Sequence, residues 1–184
     1  MTWTALDSDS KLIVSYLVGT RDASCASEFM EDVASRLAHR VQLTTDGMKA
    51  YLNAVDGAFG LNVDFAQLVK IYGEGPYPEK RYSPACCVGA EKRRISGNPD
   101  PEKVSTSHAE RQNLTMRMSM RRFTRLTSAF SKKIENDEAA IALHFMYYNF
   151  ARVHQTFRVT LAMEAGIADH HWSIQEIISL IDSN

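Results

Sequence analysis

The chain has no apolar run approaching the roughly 18 residues that a membrane-spanning helix needs. Its opening, MTWTALDSDS, lacks both the basic and the apolar region of a signal peptide. No membrane partner is expected, and a cytoplasmic location is. Cysteine is scarce: Cys25, Cys86 and Cys87 are odd in number and two are adjacent, which is poor geometry for a disulfide framework and points to reduced thiols. Despite six histidines, no C-x-x-C, H-x-x-x-H or H-E-x-x-H spacing occurs, which argues against structural zinc. Acidic residues are missing from Arg111 to Lys133, a stretch with seven basic ones: Arg111, Arg117, Arg121, Arg122, Arg125, Lys132 and Lys133. The net charge of -1 conceals this segregation, and a one-sign segment points to a polyanionic partner.

With 184 residues, 45% hydrophobic and 23% charged, the chain can bury one good core, so a single domain with a helical extension is expected. WTAL and KLIVSYLV, separated by DSDS between Trp3 and Val18, read as a hairpin. Phe29, Val33 and Leu37 recur every four residues between Asp22 and Arg40, a helix that Asp22 or Ser24 can cap. Val41 to Thr45 reads as a strand ending at Asp46-Gly47, Met48 to Phe59 as a helix, and Phe65 to Tyr72 as a strand. This order predicts an α/β domain with a mixed sheet flanked by helices. All five prolines lie between Pro76 and Pro101, with Gly73, Gly75, Gly89 and Gly97 around them, so residues 73–106 are expected to form a long irregular loop. Helices are expected from Ser107 through Phe130, from about Glu135 to Arg152, and around Ile174 to Ile181, giving a basic helix and a C-terminal helical region over 107–184.

Asp46 follows a strand and precedes a helix, which puts its carboxylate where α/β sheets hold ligands; Asp-Gly is equally a common turn. Glu110 opens the basic helix as a lone carboxylate among cations, yet Ser107 and Glu110 also have the spacing of a capping box. Pattern leaves both choices open. Within the basic segment, Arg117, Arg121 and Arg125 fall on one helical face at i, i+4 spacing. Such a stripe suits phosphate oxygens, and no acidic residue lies close enough in sequence for local pairing. His154, with Arg152 and Arg158 nearby in YNFARVHQTFR, extends the phosphate-binding candidates. Met116, Met118, Met120 and the FMYY stretch at 145–148 read as packing material.

The strings VQLTTDGMKAY, HAERQNLTMRM, RRFTRLTSAFSKK and YNFARVHQTFRVTLAMEAG resemble, in order and spacing, bacterial transposases of the insertion-sequence-one type. The resemblance implies a ribonuclease-H-like catalytic domain in which three carboxylates, Asp, Asp and Glu, hold Mg2+ (or Mn2+). It matches Asp46, in TTDG, and Glu110, in AERQN, to two of them. Converging carboxylates suit two hard cations that activate the attacking oxygen and stabilise the leaving oxygen of a phosphodiester. The implied partners are DNA, as transposon ends and target, and further copies of itself or full-length transposase.

The family's first aspartate lies in a D-E-I-W-like string on the first strand, and no such string occurs here. The chain is therefore expected to be an N-terminally truncated, incomplete catalytic domain whose first, central strand is missing, leaving two sheet edges unpaired. Asp7 and Asp9 sit at a turn and are not expected to substitute. Leu161 stands where relatives usually carry proline. Three readings follow: a transposase fragment for DNA cleavage and strand transfer that is inactive alone, a non-enzymatic DNA-binding or transposase-inhibiting fragment, and a nuclease with an improvised third carboxylate.

Overall fold

The computed structural model describes residues 1–73, 86–124 and 133–182. The length argues for one domain; the chain instead divides into two compact units, Gly19–Ser107 (with Met1) and Thr2–Val18 with His108–Asn184.

The first unit is α/β. Helix α1, Ala23–Ser35, starts at Asp22, whose carboxylate accepts from the Cys25 N–H at 2.9 Å and so satisfies one of the free donors of the first turn. Ala26, Phe29, Met30 and Val33 are its buried stripe, at the i, i+3, i+4, i+7 spacing of one helical face. The helix stops five residues before the expected Arg40, and Arg40 serves as a bracket. Its guanidinium donates to the Leu61 carbonyl at 2.6 Å and to both Asp64 carboxylate oxygens at 3.0 and 2.7 Å.

Strand β3 (Val41–Asp46), helix α2 (Ala50–Phe59) and strand β4 (Val63–Gly73) form a βαβ unit, with β3 and β4 parallel from Val41↔Val63 to Asp46↔Leu68. Strand β5, Cys86–Ser96, runs antiparallel to β4 and completes a mixed sheet of order β3-β4-β5. Its presence corrects the expectation of an irregular loop over residues 73–106. Apart from Gly89, the prolines and glycines that suggested the loop fall before and after the strand, and β5 pairs through its backbone with little apolar patterning to announce it. Gly97 ends it at φ +66°, where an added Cβ would stand 2.7 Å from the Val63 carbonyl oxygen. Only glycine suits that position. Beyond it, the Gln42 side-chain amide mimics a peptide, donating to the Asp100 carbonyl at 3.0 Å and accepting from the Asp100 N–H at 2.8 Å.

In the second unit, β1 (Thr2–Leu6) and β2 (Ile13–Val18) form the expected hairpin as a separate two-stranded sheet. Asp7 organises the turn by accepting from the Ser10 N–H and hydroxyl at 2.8 and 2.6 Å, and Lys11 takes a left-handed conformation, φ 65°. Helices α3 (Ser107–Ser119), α4 (Ile134–Met146), α5 (Leu161–Glu164) and α6 (Ile174–Asp182) supply the rest, and α4 passes into a π-helical turn at Tyr147–Ala151. Leu12, Ile13, Met116, Ile141, Phe145, Tyr148, Leu161 and Ala162 form its buried core. Asn149 ties strand to helix: its buried amide accepts from the Ile13 N–H at 3.0 Å and donates to the Ile13 carbonyl at 2.9 Å.

The expected helix through Phe130 is not continuous. It ends at Ser119; Met120 is extended and a separate 3-10 turn follows at Arg121–Phe123. Arg117 and Arg121 therefore do not share a helical face, and Arg125 and Lys132 lie outside the described residues. Of the methionines and aromatics read as packing material, Met116, Phe145 and Tyr148 are buried, whereas Met118 and Tyr147 are exposed. Among the described residues no helix is long and apolar enough to cross a membrane. The strands β1 and β3 each pair on one side only among the described residues.

Candidate functional site

Asp46 stands at the carboxyl end of β3, exposed, on the turn into α2. Its Oδ1 accepts from the Met48 N–H at 3.1 Å, so the carboxylate does serve the Asp-Gly turn. The turn is braced from beneath. Buried Gln67, on β4, donates from Nε2 to the Asp46 carbonyl at 3.0 Å and the Met48 carbonyl at 3.2 Å, and reaches the Thr45 hydroxyl at 3.3 Å. A Cβ on Gly47 would meet the Val69 side chain at 3.0 Å, so the chain crosses close over β4 there. Tyr51, one turn into α2, has its hydroxyl pushed well above the usual phenol range by burial and by the negative charge of Asp46, with Arg21 opposing. These contacts fix the main chain that carries the Asp46 carboxylate.

Glu110 lies in the first turn of α3, exposed, where a negative charge suits the helix dipole. Ser107, its expected capping partner, is already helical and shares a hydrogen bond with the Ser105 hydroxyl at 2.9 Å. Asp46 belongs to the first unit and Glu110 to the second. Among the described residues no three His, Cys, Asp or Glu side chains group to hold a metal ion. The residues described do not by themselves make up a Mg2+ or Mn2+ centre.

The cationic candidates part ways. Arg122 is spent on structure, donating to the Asn136 carbonyl at 2.9 Å and lying 3.5 Å from the Asp137 carboxylate; the acid that balances it is distant in sequence, at the start of α4. Arg117, Arg121 and Lys133 are exposed on the segments around the α3 terminus. Arg158 is exposed and left-handed, φ 61°, in the tight turn closed by the His154 N–H to the Val159 carbonyl at 2.9 Å and the Arg158 N–H to the His154 carbonyl at 2.7 Å.

Arg111, Arg152 and His154 are brought together. They line a cleft of about 460 Å³ within the second unit, with Lys11, His108 and Gln112. His108, Arg111, Gln112 and Thr115 line it from α3, and their i, i+3, i+4, i+7 spacing is one helical face. The π-helical turn contributes from the other side. The Arg152 N–H reaches the Tyr147 carbonyl at 2.8 Å, five residues back, and the Arg152 guanidinium sits 5.6 Å from the centre of the Tyr148 ring. Lys11 Nζ is 3.2 Å from His108 Nε2 and also donates to the Ser8 carbonyl. Among the described residues, no acidic one lines the cleft. Gln112 Nε2 and His154 Nδ1 are buried there without a hydrogen-bond partner. Arg152 also presses on its surroundings: burial, then the nearby Arg152 charge, lowers the His144 pKa.

Sequence reasoning missed Lys11 and Gln112, and it read His108 as an ordinary helix histidine. The helical spacing of residues 108, 111, 112 and 115 was a usable signal for the last two; Lys11 arrives from a hairpin turn far away in sequence, which no local pattern announces. No protein-family model, no curated protein and no solved structure matches the chain.

Proposed function

We propose that this chain is part of a metal-dependent DDE transposase catalytic domain of ribonuclease-H-like fold, in which Asp46 and Glu110 are two of the three carboxylates. On their own, these 184 residues engage DNA without cutting it. One observation carries the reading: the Asp46 carboxylate, in the TTDG string, stands at the carboxyl end of a parallel βαβ strand on a turn that buried Gln67 braces. That is where such sheets present chemistry. DNA, as transposon ends and target, is the partner, gripped through Arg111, Arg152 and His154 together with the exposed cations around α3. Mg2+ or Mn2+ enters only with a third carboxylate.

The second reading, a DNA-binding fragment that inhibits transposition by joining full-length transposase, is favoured by the acid-free cleft, which the binding of DNA needs and metal chemistry does not. Two assays test the proposal. Supercoiled plasmid incubated with the chain and Mg2+ is expected to stay uncut; nicking abolished by Glu110→Gln would make the chain an active nuclease. Co-expression with an active element of this type is expected to depress transposition several-fold, equally for Asp46→Asn. Unchanged transposition would overturn co-assembly.

A further inference from the structure

We propose that the cleft of the second unit is an oxyanion site that holds one phosphate group of a nucleic-acid strand; this deepens, and rests on, the reading of the chain as a DNA-engaging protein. Its lining offers donors almost throughout. Lys11 and Arg152 bring permanent positive charge from the hairpin turn and the π-helical turn, Arg111 brings a third from α3, and among the described residues no carboxylate stands with them. That balance disfavours a metal cation and favours an anion. The amide of Gln112 sharpens the choice. The residue is only 4% exposed, and its Nε2 has no acceptor within reach. A buried N–H without an acceptor is uncommon in a folded protein, and phosphate oxygens are acceptors in every direction. A guanidinium fork beside it gives the paired geometry that phosphate prefers, and the Tyr148 ring beneath Arg152 keeps that fork in place.

The backbone is consistent with a site built for this purpose. Among the described residues, the two non-glycine positions with positive φ are Lys11 and Arg158. Lys11 lines the cleft, and Arg158 closes the turn that sets His154 in its wall. Left-handed backbone at a non-glycine residue is sparsely populated and tends to persist at functional positions. The cleft, at about 460 Å³, exceeds what one phosphate fills, leaving room for the adjoining sugar of a strand.

The test uses the full chain in metal-free buffer, so that it does not depend on the carboxylates. A short fluorescein-labelled single-stranded oligonucleotide is titrated by anisotropy, and inorganic pyrophosphate is added as competitor. Pyrophosphate is expected to displace the oligonucleotide. Arg152→Gln and Gln112→Met are each expected to weaken binding about tenfold, and Arg152→Gln to flatten the salt dependence by roughly one phosphate contact. Because Gln112 is buried and its variant can fail to fold, exposed Arg152 and Arg111→Gln keep the test decisive. Oligonucleotide binding that none of these variants weakens would overturn the cleft while leaving the DNA reading standing. Pyrophosphate binding lost in Arg152→Gln, with no oligonucleotide binding, would uphold an oxyanion site and overturn its assignment to nucleic acid.

Discussion

Two side chains secure opposite ends of the β3–β4 pair in the first unit, Gln67 under the Asp46 turn and Asp64 beside Arg40. Gln67 is the residue on which the Asp46 turn rests, so Gln67→Leu removes the amide donor of the Met48 carbonyl and leaves the Asp46 carbonyl with the Thr45 hydroxyl alone. An expected loss of roughly 1–3 kcal/mol follows from stranding such groups, and hydrogen exchange of the Met48 amide, measured against global unfolding, reads whether the turn loosens first. Asp64 makes a sharper point about charge. Hydrogen bonds from Arg40 and from the Asn98 N–H hold its carboxyl at about 2, below the ordinary value of 3.8. Its contribution to stability is therefore fully present above pH 3.8 and lost as the pH falls through about 2. Titration of the Asp64 carboxyl by NMR checks this, and Arg40→Ala is expected to move the pKa back toward 3.8; an unmoved pKa would show that Arg40 is not the cause. Neither role was legible in the sequence, because Arg40 and Asp64 are separated by a whole βαβ helix and nothing local pairs them.

At the level of elements, what could be read was what local chemistry determines. The hairpin, α1, β3, α2 and β4 follow from alternation, four-residue periodicity and an Asp cap. What could not be read depends on long-range pairing. The strand β5 exists because β4 offers it a backbone ladder, and the break after Ser119 lies in a stretch where Arg117, Arg121, Arg122 and Arg125 have no acid at helical spacing, so that like charges subtract from a continuous helix. The backbone at Leu161 is well held. Thr160 caps α5 by accepting from the Met163 N–H at 3.2 Å, and Leu161 is the first helical residue, the position at which proline is best tolerated. The most consequential link between elements is Asn149. Asn149→Ala removes both partners of the Ile13 peptide groups and is expected to cost the second unit roughly 2–4 kcal/mol, read as a fall in the denaturant midpoint with an unchanged slope. A loss under about 0.5 kcal/mol would mean that water replaces the amide.

For the molecule as a whole, the sequence announced an α/β protein with a mixed sheet, and that is present. It did not announce the division into two units, since composition reports how much core a chain can bury and not how many. Nor did it show that, of the basic residues between Arg111 and Lys133, Arg122 would bind Asp137 while Arg111 joins Arg152 and Lys11 from other elements in one cleft. The proposed function requires that surface to meet DNA. The affinity of the intact chain for DNA, measured in metal-free buffer across a range of salt, tests it most directly. Binding that weakens steeply with salt, with a logarithmic slope of about −3 or steeper, is the predicted result for several released phosphate counterions. No binding at low salt, or binding indifferent to salt, would contradict it.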